Sequence, residues 1–250
     1  MGRLFRNQPT FSPGDWLPTL ARLRTTRAVA LTFDDGPTPE TTPRVLELLA
    51  RYDAPATFFL SGERVERAPE LVGRIVAAGH EVFAHGYSHI RLQHEAPERL
   101  FEEMSRTEAM LAAYRPTPSP YLVRLPYGSG ARNAQLHRTV RAWDSSAQLA
   151  LWSHSVRDHL IASEESGLPA VERRCGEEVE RLLARRFLGG GVILLHETPY
   201  NVDAPLNAEV APLLLSRLLP RLAERGLKID RLRPHQNPSR LSRYVLTASV

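Results

Sequence analysis

Ala28-Val29-Ala30-Leu31-Thr32-Phe33 runs without a break into Asp34-Asp35-Gly36-Pro37. The apolar, β-rich run predicts a strand, with the acidic pair at its C-terminal end. In a parallel α/β fold that end of the sheet is where active sites gather. Two neighbouring carboxylates there repel each other unless a cation or a proton neutralises one. Adjacent residues at a strand end point in different directions, so one can bind a metal while the other handles a proton. The plainer reading is that Asp34 and Asp35 cap the helix that follows. The pair taken alone leaves both open.

Outward from this strand, short β-rich runs alternate with amphipathic helical stretches. Val45, Leu48, Leu49 and Tyr52 form one helical stripe at i, i+3, i+4, i+7. Residues 56–60 read as a second strand, and Leu71, Ile75 and Ala78 as the face of a helix that Gly79 stops. A third strand follows at 81–84, then a helix over about 96–114 with Leu100, Met104, Thr107 and Leu111 in line. Further strands are expected at 121–124, 149–153, 192–196 and 228–232, and helices at 133–143, 168–187 and 208–225. About seven parallel strands around one centre predict a distorted (β/α) barrel within the α/β class. Periodicity alone does not exclude an open doubly wound sheet. Residues 1–27 read as an irregular N-terminal flank, 28–232 as one catalytic domain and 233–250 as a basic C-terminal tail.

The 250-residue length suits one large domain. No apolar run approaches the roughly 18–20 residues that cross a bilayer. Behind Met1-Gly2-Arg3 come Pro9, Pro13, Asp15 and Pro18, where a secretory signal needs a continuous apolar stretch. A cytoplasmic protein is expected, or a secreted one should a leader precede this sequence. The single cysteine, Cys175, excludes a disulfide framework within the chain. Its spacing with Val171, Val179 and Leu182 marks a small buried hydrophobe on a helix face. Eight basic residues between Arg217 and Arg243 face only Glu224 and Asp230. With no interleaved aromatics, they read as a solvated basic face, and no nucleic-acid partner is expected.

Two further segments sharpen the acidic pair. His85-Gly86-Tyr87-Ser88-His89 follows the third strand, so it belongs at the same rim. Two imidazoles four residues apart reach one ion if the segment turns as a helix does. Two His and one carboxylate make three protein ligands with positions left open, the pattern of a catalytic metal site. His196, in Ile193-Leu194-Leu195-His196-Glu197, ends another apolar strand at that rim, where a histidine is well placed to move protons. Among the other histidines, His80 reads as a solvent-side turn residue. His154 and His159 could line the cleft or simply pack.

Together these segments resemble the polysaccharide deacetylases, the NodB-homology group called carbohydrate esterase family four. The resemblance spans roughly residues 28–232 and follows the family's order of five motifs. It implies that Asp34 is the catalytic base and that Asp35, His85 and His89 are metal ligands. Arg124-Leu125-Pro126-Tyr127-Gly128 matches the third motif, implying that Arg124 orients the base and the Tyr127 backbone N–H holds the oxyanion. Leu125 stands where a proline is common. In the fifth motif Leu194 is implied to line the acyl pocket and His196 to be the general acid. The fourth motif, Trp152 to His159, keeps Asp158 to tune that acid but has His159 where a tryptophan is usual. Gly86 stands in place of a Ser or Thr whose hydroxyl steadies the histidine loop, so a looser loop is expected.

The implied activity is metal-dependent removal of an acyl group, acetyl first, from the nitrogen of an amino sugar or oligosaccharide. The donor set suits Zn²⁺, with Co²⁺ or another divalent ion as alternatives. Two other readings stand beside it. One is hydrolysis of a non-sugar amide or cyclic imide; the other is a noncatalytic binding protein on the same fold.

Overall fold

Regular structure begins with β1 (Thr19–Leu20) and β2 (Ala28–Asp34), the latter buried at all seven positions. The computed structural model describes residues 16–130, 133–200 and 203–236. Most of the expected N-terminal flank and basic tail, including Arg240 and Arg243, therefore lies outside the described residues. After β2 come α1 (Thr42–Arg51), β3 (Thr57–Leu60), α2 (Gly62–Arg67), α3 (Pro69–Ala77) and β4 (Glu81–Ala84). Then follow α4 (Pro97–Leu111), β5 (Leu122–Val123), α5 (Ala134–Trp143), β6 (Gln148–Ala150) and β7 (His154–Ser155). The chain continues through α6 (Asp158–Glu164), α7 (Leu168–Leu183), β8 (Val192–His196), α8 (Asn207–Glu224) and β9 (Lys228–Asp230).

Every paired strand is parallel, in two sheets ordered β4-β3-β2-β8-β7 and β1-β6-β5, with β9 beside the start of β2. Parallel pairing forces each connection to cross back over the sheet, which places the strands' C-terminal ends on one rim. The result is a distorted (β/α) barrel split into two arcs. Its core is the continuous apolar set of β2, β3, β4 and β8, with Phe33, Phe58 and Phe59 fully buried. Phe33 stacks on Phe58 at 4.9 Å and Phe59 on Phe83 at 5.8 Å. Each such side chain contributes about 1.5–3 kcal/mol on burial.

Several expectations change in detail. The N-terminal flank is not wholly irregular: β1 pairs with β6, and Leu17, Leu20 and Ala21 are buried. Of the strand expected at 149–153 only the first two residues are in one, β6; residues 151–153 are irregular, and β7 follows in the other sheet. The α1 stripe is rotated, burying Val45, Leu46 and Leu49 while Tyr52 stays exposed. His80 is no solvent-side residue. It is buried, its Nδ1 accepts from the Ala56 N–H at 3.0 Å, and burial pushes its pKa down to about 4. Cys175 is fully buried in α7, and burial pushes its thiol up to about 12. Within the basic run, Arg221 pairs with Glu180 while Arg225 and Arg231 donate to backbone carbonyls of Leu183 and Gly79. Among the described residues no helix is long and apolar enough to cross a membrane.

Candidate active site

Strand register brings the acidic pair and the distant histidines together. Asp34 at the end of β2 lies opposite His196 on β8 and Phe59 on β3, and the His85 N–H continues the ladder by donating to Leu60 O at 2.8 Å. Asp34 and Asp35 do not cap α1, whose N-cap is Thr41. Asp35 instead turns into the left-handed region, φ 72°. That turn separates two adjacent carboxylates into different jobs: Asp34 Oδ1 meets Arg124, and Asp35 Oδ1 meets the histidines.

His89 Nε2 lies 3.0 Å and His85 Nε2 3.5 Å from Asp35 Oδ1. Asp35 Oδ1 is buried and receives no well-aligned hydrogen bond. Two zinc ligands about 2.0–2.1 Å from an ion at the tetrahedral angle are roughly 3.3 Å apart. The three donors fit a divalent ion. His85 Nδ1–H donates to the Arg124 carbonyl at 2.8 Å, which leaves the Nε2 lone pair facing Asp35. Burial lowers the His85 pKa, a fall that Asp34 and Asp35 only partly oppose. Burial by itself would raise Asp35, but His89, His196 and His85 hold it well below the ordinary carboxylate range. A neutral imidazole and an ionised carboxylate are the protonation states a metal requires.

The segment from His85 to His89 is a loop, not the helical turn that the four-residue spacing suggested. Gly86 adopts φ 79° and His89 φ 52°. A left-handed residue other than glycine costs about 1–3 kcal/mol, so the loop needs outside support. Glu103, buried on α4, provides it. Its Oε2 accepts from the Tyr87 and Ser88 N–H groups at 2.6 and 2.7 Å, and its Oε1 from the Ser88 hydroxyl at 2.6 Å. The loop is held despite the missing hydroxyl at position 86, and glycine there meets the positive φ. Opposite, Arg64 of α2 donates to the Asp35 carbonyl at 2.8 Å and to that of Thr198. Its guanidinium lies 4.0 Å over Tyr200, whose ring stacks on His89 at 4.5 Å and 5°.

Arg124 is fully buried. Nη1 donates to Asp34 Oδ1 and Thr32 Oγ1, both at 2.8 Å, Nε to Ala150 O at 3.1 Å and Nη2 to Leu151 O at 3.2 Å. Removing one partner of such a pair leaves a charge uncompensated, at a cost of about 3–5 kcal/mol. On the far wall, Asp158 opens α6. Its carboxylate accepts from the His196 backbone N–H at 2.5 Å and pairs with His196 Nδ1 at 2.9 Å. Burial alone would lower the His196 pKa. Asp158, with Asp35 and Asp34 beyond it, overrides burial and raises it to about 9. Asp158, His159 and His196 also cluster like metal donors, but both Asp158 oxygens already serve His196.

These groups border a cavity of about 270 Å³. Tyr127, left-handed at φ 60°, and Leu194 line it, as do Asp34, Asp35, His85, His89 and His196. His159 lines it as well, 5.4 Å from the His196 ring. His154 does not; it packs against Gly191 and faces Phe187 O. All nine residues singled out in the sequence thus meet at one rim, with Arg124 and Asp158 behind the cavity wall.

Residues 22–145 match the model of the polysaccharide deacetylase family. The chain is 35% identical to a chitooligosaccharide deacetylase of a Bradyrhizobium species, over 83% of this chain and 90% of that one. The chain belongs to the polysaccharide deacetylase family. A peptidoglycan-N-acetylglucosamine deacetylase of Bacillus cereus is 29% identical over 81% of this chain and 84% of its own length. Among solved structures, the family 4 carbohydrate esterase of Streptomyces lividans, in complex with acetate, superposes with a TM-score of 0.59. It is 27% identical and covers 82% of this chain and 92% of that one.

For this deacetylase, sequence reasoning missed the supports and the rim. Glu103 carried one faint signal, an acidic residue beside the apolar stripe of α4. Arg64, Arg91 and Tyr200 carried none, because only the fold brings Arg91 and Tyr200 to the cavity and Arg64 over Tyr200. Glu197, next to His196, is fully buried, accepts from the Thr42 hydroxyl, and burial raises its carboxyl to about 7. A Cβ at position 36 would overlap it, which explains why Gly36 follows the acidic pair.

Proposed function

We propose that this chain is a metal-dependent hydrolase that removes an acetyl group from the nitrogen of an amino sugar within an oligosaccharide or glycan. The observation that carries the reading is the convergence of Asp35, His85 and His89 beside a separately paired Asp34. The names of the relatives support an N-acetylated sugar over a non-sugar amide. Asp35, His85 and His89 would hold the ion, Zn²⁺ first because two imidazoles and one carboxylate suit it. When bound, the ion supplies Lewis acidity, polarising the amide carbonyl and acidifying water.

The chain's own groups do the rest. Asp34 takes the proton of the attacking water, held in place by Arg124. The Tyr127 backbone N–H steadies the developing oxyanion, a donation that typically contributes about 3–4 kcal/mol. Leu194 packs against the acyl methyl. His196, kept protonated by Asp158, gives its proton to the departing nitrogen, which otherwise would leave as an anion. His159 lines the same cavity as Leu194 and would border the substrate there.

Asp34→Asn should abolish acetate release while the protein still binds its ion; His85→Ala should lose the ion itself. Metal analysis of both proteins beside acetate release from N-acetylglucosamine oligomers tests the assignment. Wild-type turnover in Asp34→Asn would refute it.

A further inference from the structure

The cavity's charges are arranged in depth. Its carboxylates sit at the bottom and are committed: Asp34 to Arg124, and Asp35 to His85 and His89. Among the lining residues that are described, Arg91 carries the only exposed formal charge. It sits two residues beyond His89, and no carboxylate among the described residues lies within ion-pair reach of it. Its guanidinium rests 4.0 Å over the Tyr127 ring, which lies 4.8 Å from the His89 ring. The cation is therefore aimed by an aromatic face and stands one tyrosine ring away from the proposed metal ligand. The only acidic side chains among the described lining residues are Asp34 and Asp35, and both are buried.

An exposed arginine usually meets water, and one cation beside a catalytic cavity need not bind anything. Here, however, the planar fork is held over Tyr127, a partly exposed residue that lines the same cavity. A guanidinium in that setting matches a carboxylate in both shape and charge. We infer that Arg91 forms an anion subsite, and that the preferred substrate is a glycan bearing a carboxylate close to the acylated nitrogen. This rests on the deacetylase reading and narrows its substrate class. The field at the mouth would also draw such a polyanion in faster than a neutral chain.

The test uses one glycan in two charge states. A strand of alternating N-acetylglucosamine and N-acetylmuramic acid, freed of peptides, carries one carboxylate per repeat; reducing those carboxyls to alcohols gives a neutral strand of the same length. The metal-loaded wild type is expected to favour the acidic strand in kcat/KM, mainly through KM, and to lose that preference at high salt. Arg91→Ala should reduce the acidic-to-neutral ratio about tenfold or more, and Arg91→Glu should reduce it further. An unchanged ratio in both variants, or a wild type that does not distinguish the strands, overturns the subsite while leaving the deacetylase intact. If neither strand nor N-acetylglucosamine oligomers yield chelator-sensitive acetate release, the deacetylase reading falls, and this inference with it.

Discussion

The two walls of the cavity hold histidines in opposite ways. On the metal side, Asp35 and His89 sit in left-handed backbone on loops, and Glu103 and Arg64 steady them from neighbouring helices. On the other side, His196 ends a regular strand and meets Asp158 at the first turn of a helix, with no loop between carboxylate and imidazole. The electrostatics diverge as well. Burial drives His85 toward the neutral form, while Asp158 overrides burial at His196 and raises it to about 9. Two imidazoles facing one cavity of about 270 Å³ thus take opposite charge states. The lesson is that burial sets the default, and a directly bonded carboxylate reverses it.

The comparison breaks most sharply at His196. If that wall supplies the proton, His196→Gln should lower kcat by about 10²–10⁴ with metal content unchanged, read by acetate release and metal analysis. A variant that lost its ion instead would place His196 on the metal side.

Glu103→Gln tests the opposite wall. Weakening the carboxylate that gathers the loop should lower metal affinity about 10–100-fold, measured by competition with a chromophoric chelator. Unchanged affinity would mean that the loop holds its shape without Glu103.

Asp158→Asn sharpens the charge contrast. The wild-type rate should fall as pH rises through about 9, where His196 gives up its proton. In the variant that limb should move down toward the ordinary histidine value of about 6.5. Stability follows the same sign. A raised folded pKa contributes fully below about 6.5 and is lost as pH climbs through about 9. Denaturant unfolding of the metal-free wild type across that window should show the decline, and Asp158→Asn should flatten it. The smallest effect is expected at Cys175, remote in role from both walls. Cys175→Ala should leave kcat/KM within about twofold while costing on the order of 1 kcal/mol in unfolding free energy.

Much of this was legible because chemistry and periodicity are local. The apolar run ending in Asp34-Asp35 marked a strand and its reactive end, and the histidine pair and His196 marked the same rim from two other strands. The HxxxH spacing misled, since it fits a helix as readily as the loop that forms. His80 misled too: a turn beside a strand can still lie under the sheet, where Phe58 and the Ala56 N–H enclose it.

The amino-acid order by itself settled the fold class and the residues bearing donors, because hydrophobic period and residue type are properties of short segments. Tertiary structure alone decided what surrounds them. Glu103, Arg64, Tyr200 and Arg91 come from stretches with no motif of their own. Arg91 and Tyr200 reach the cavity, and Glu103 and Arg64 the loops behind it, only because parallel strands, each closed by a crossing helix, end on a single rim.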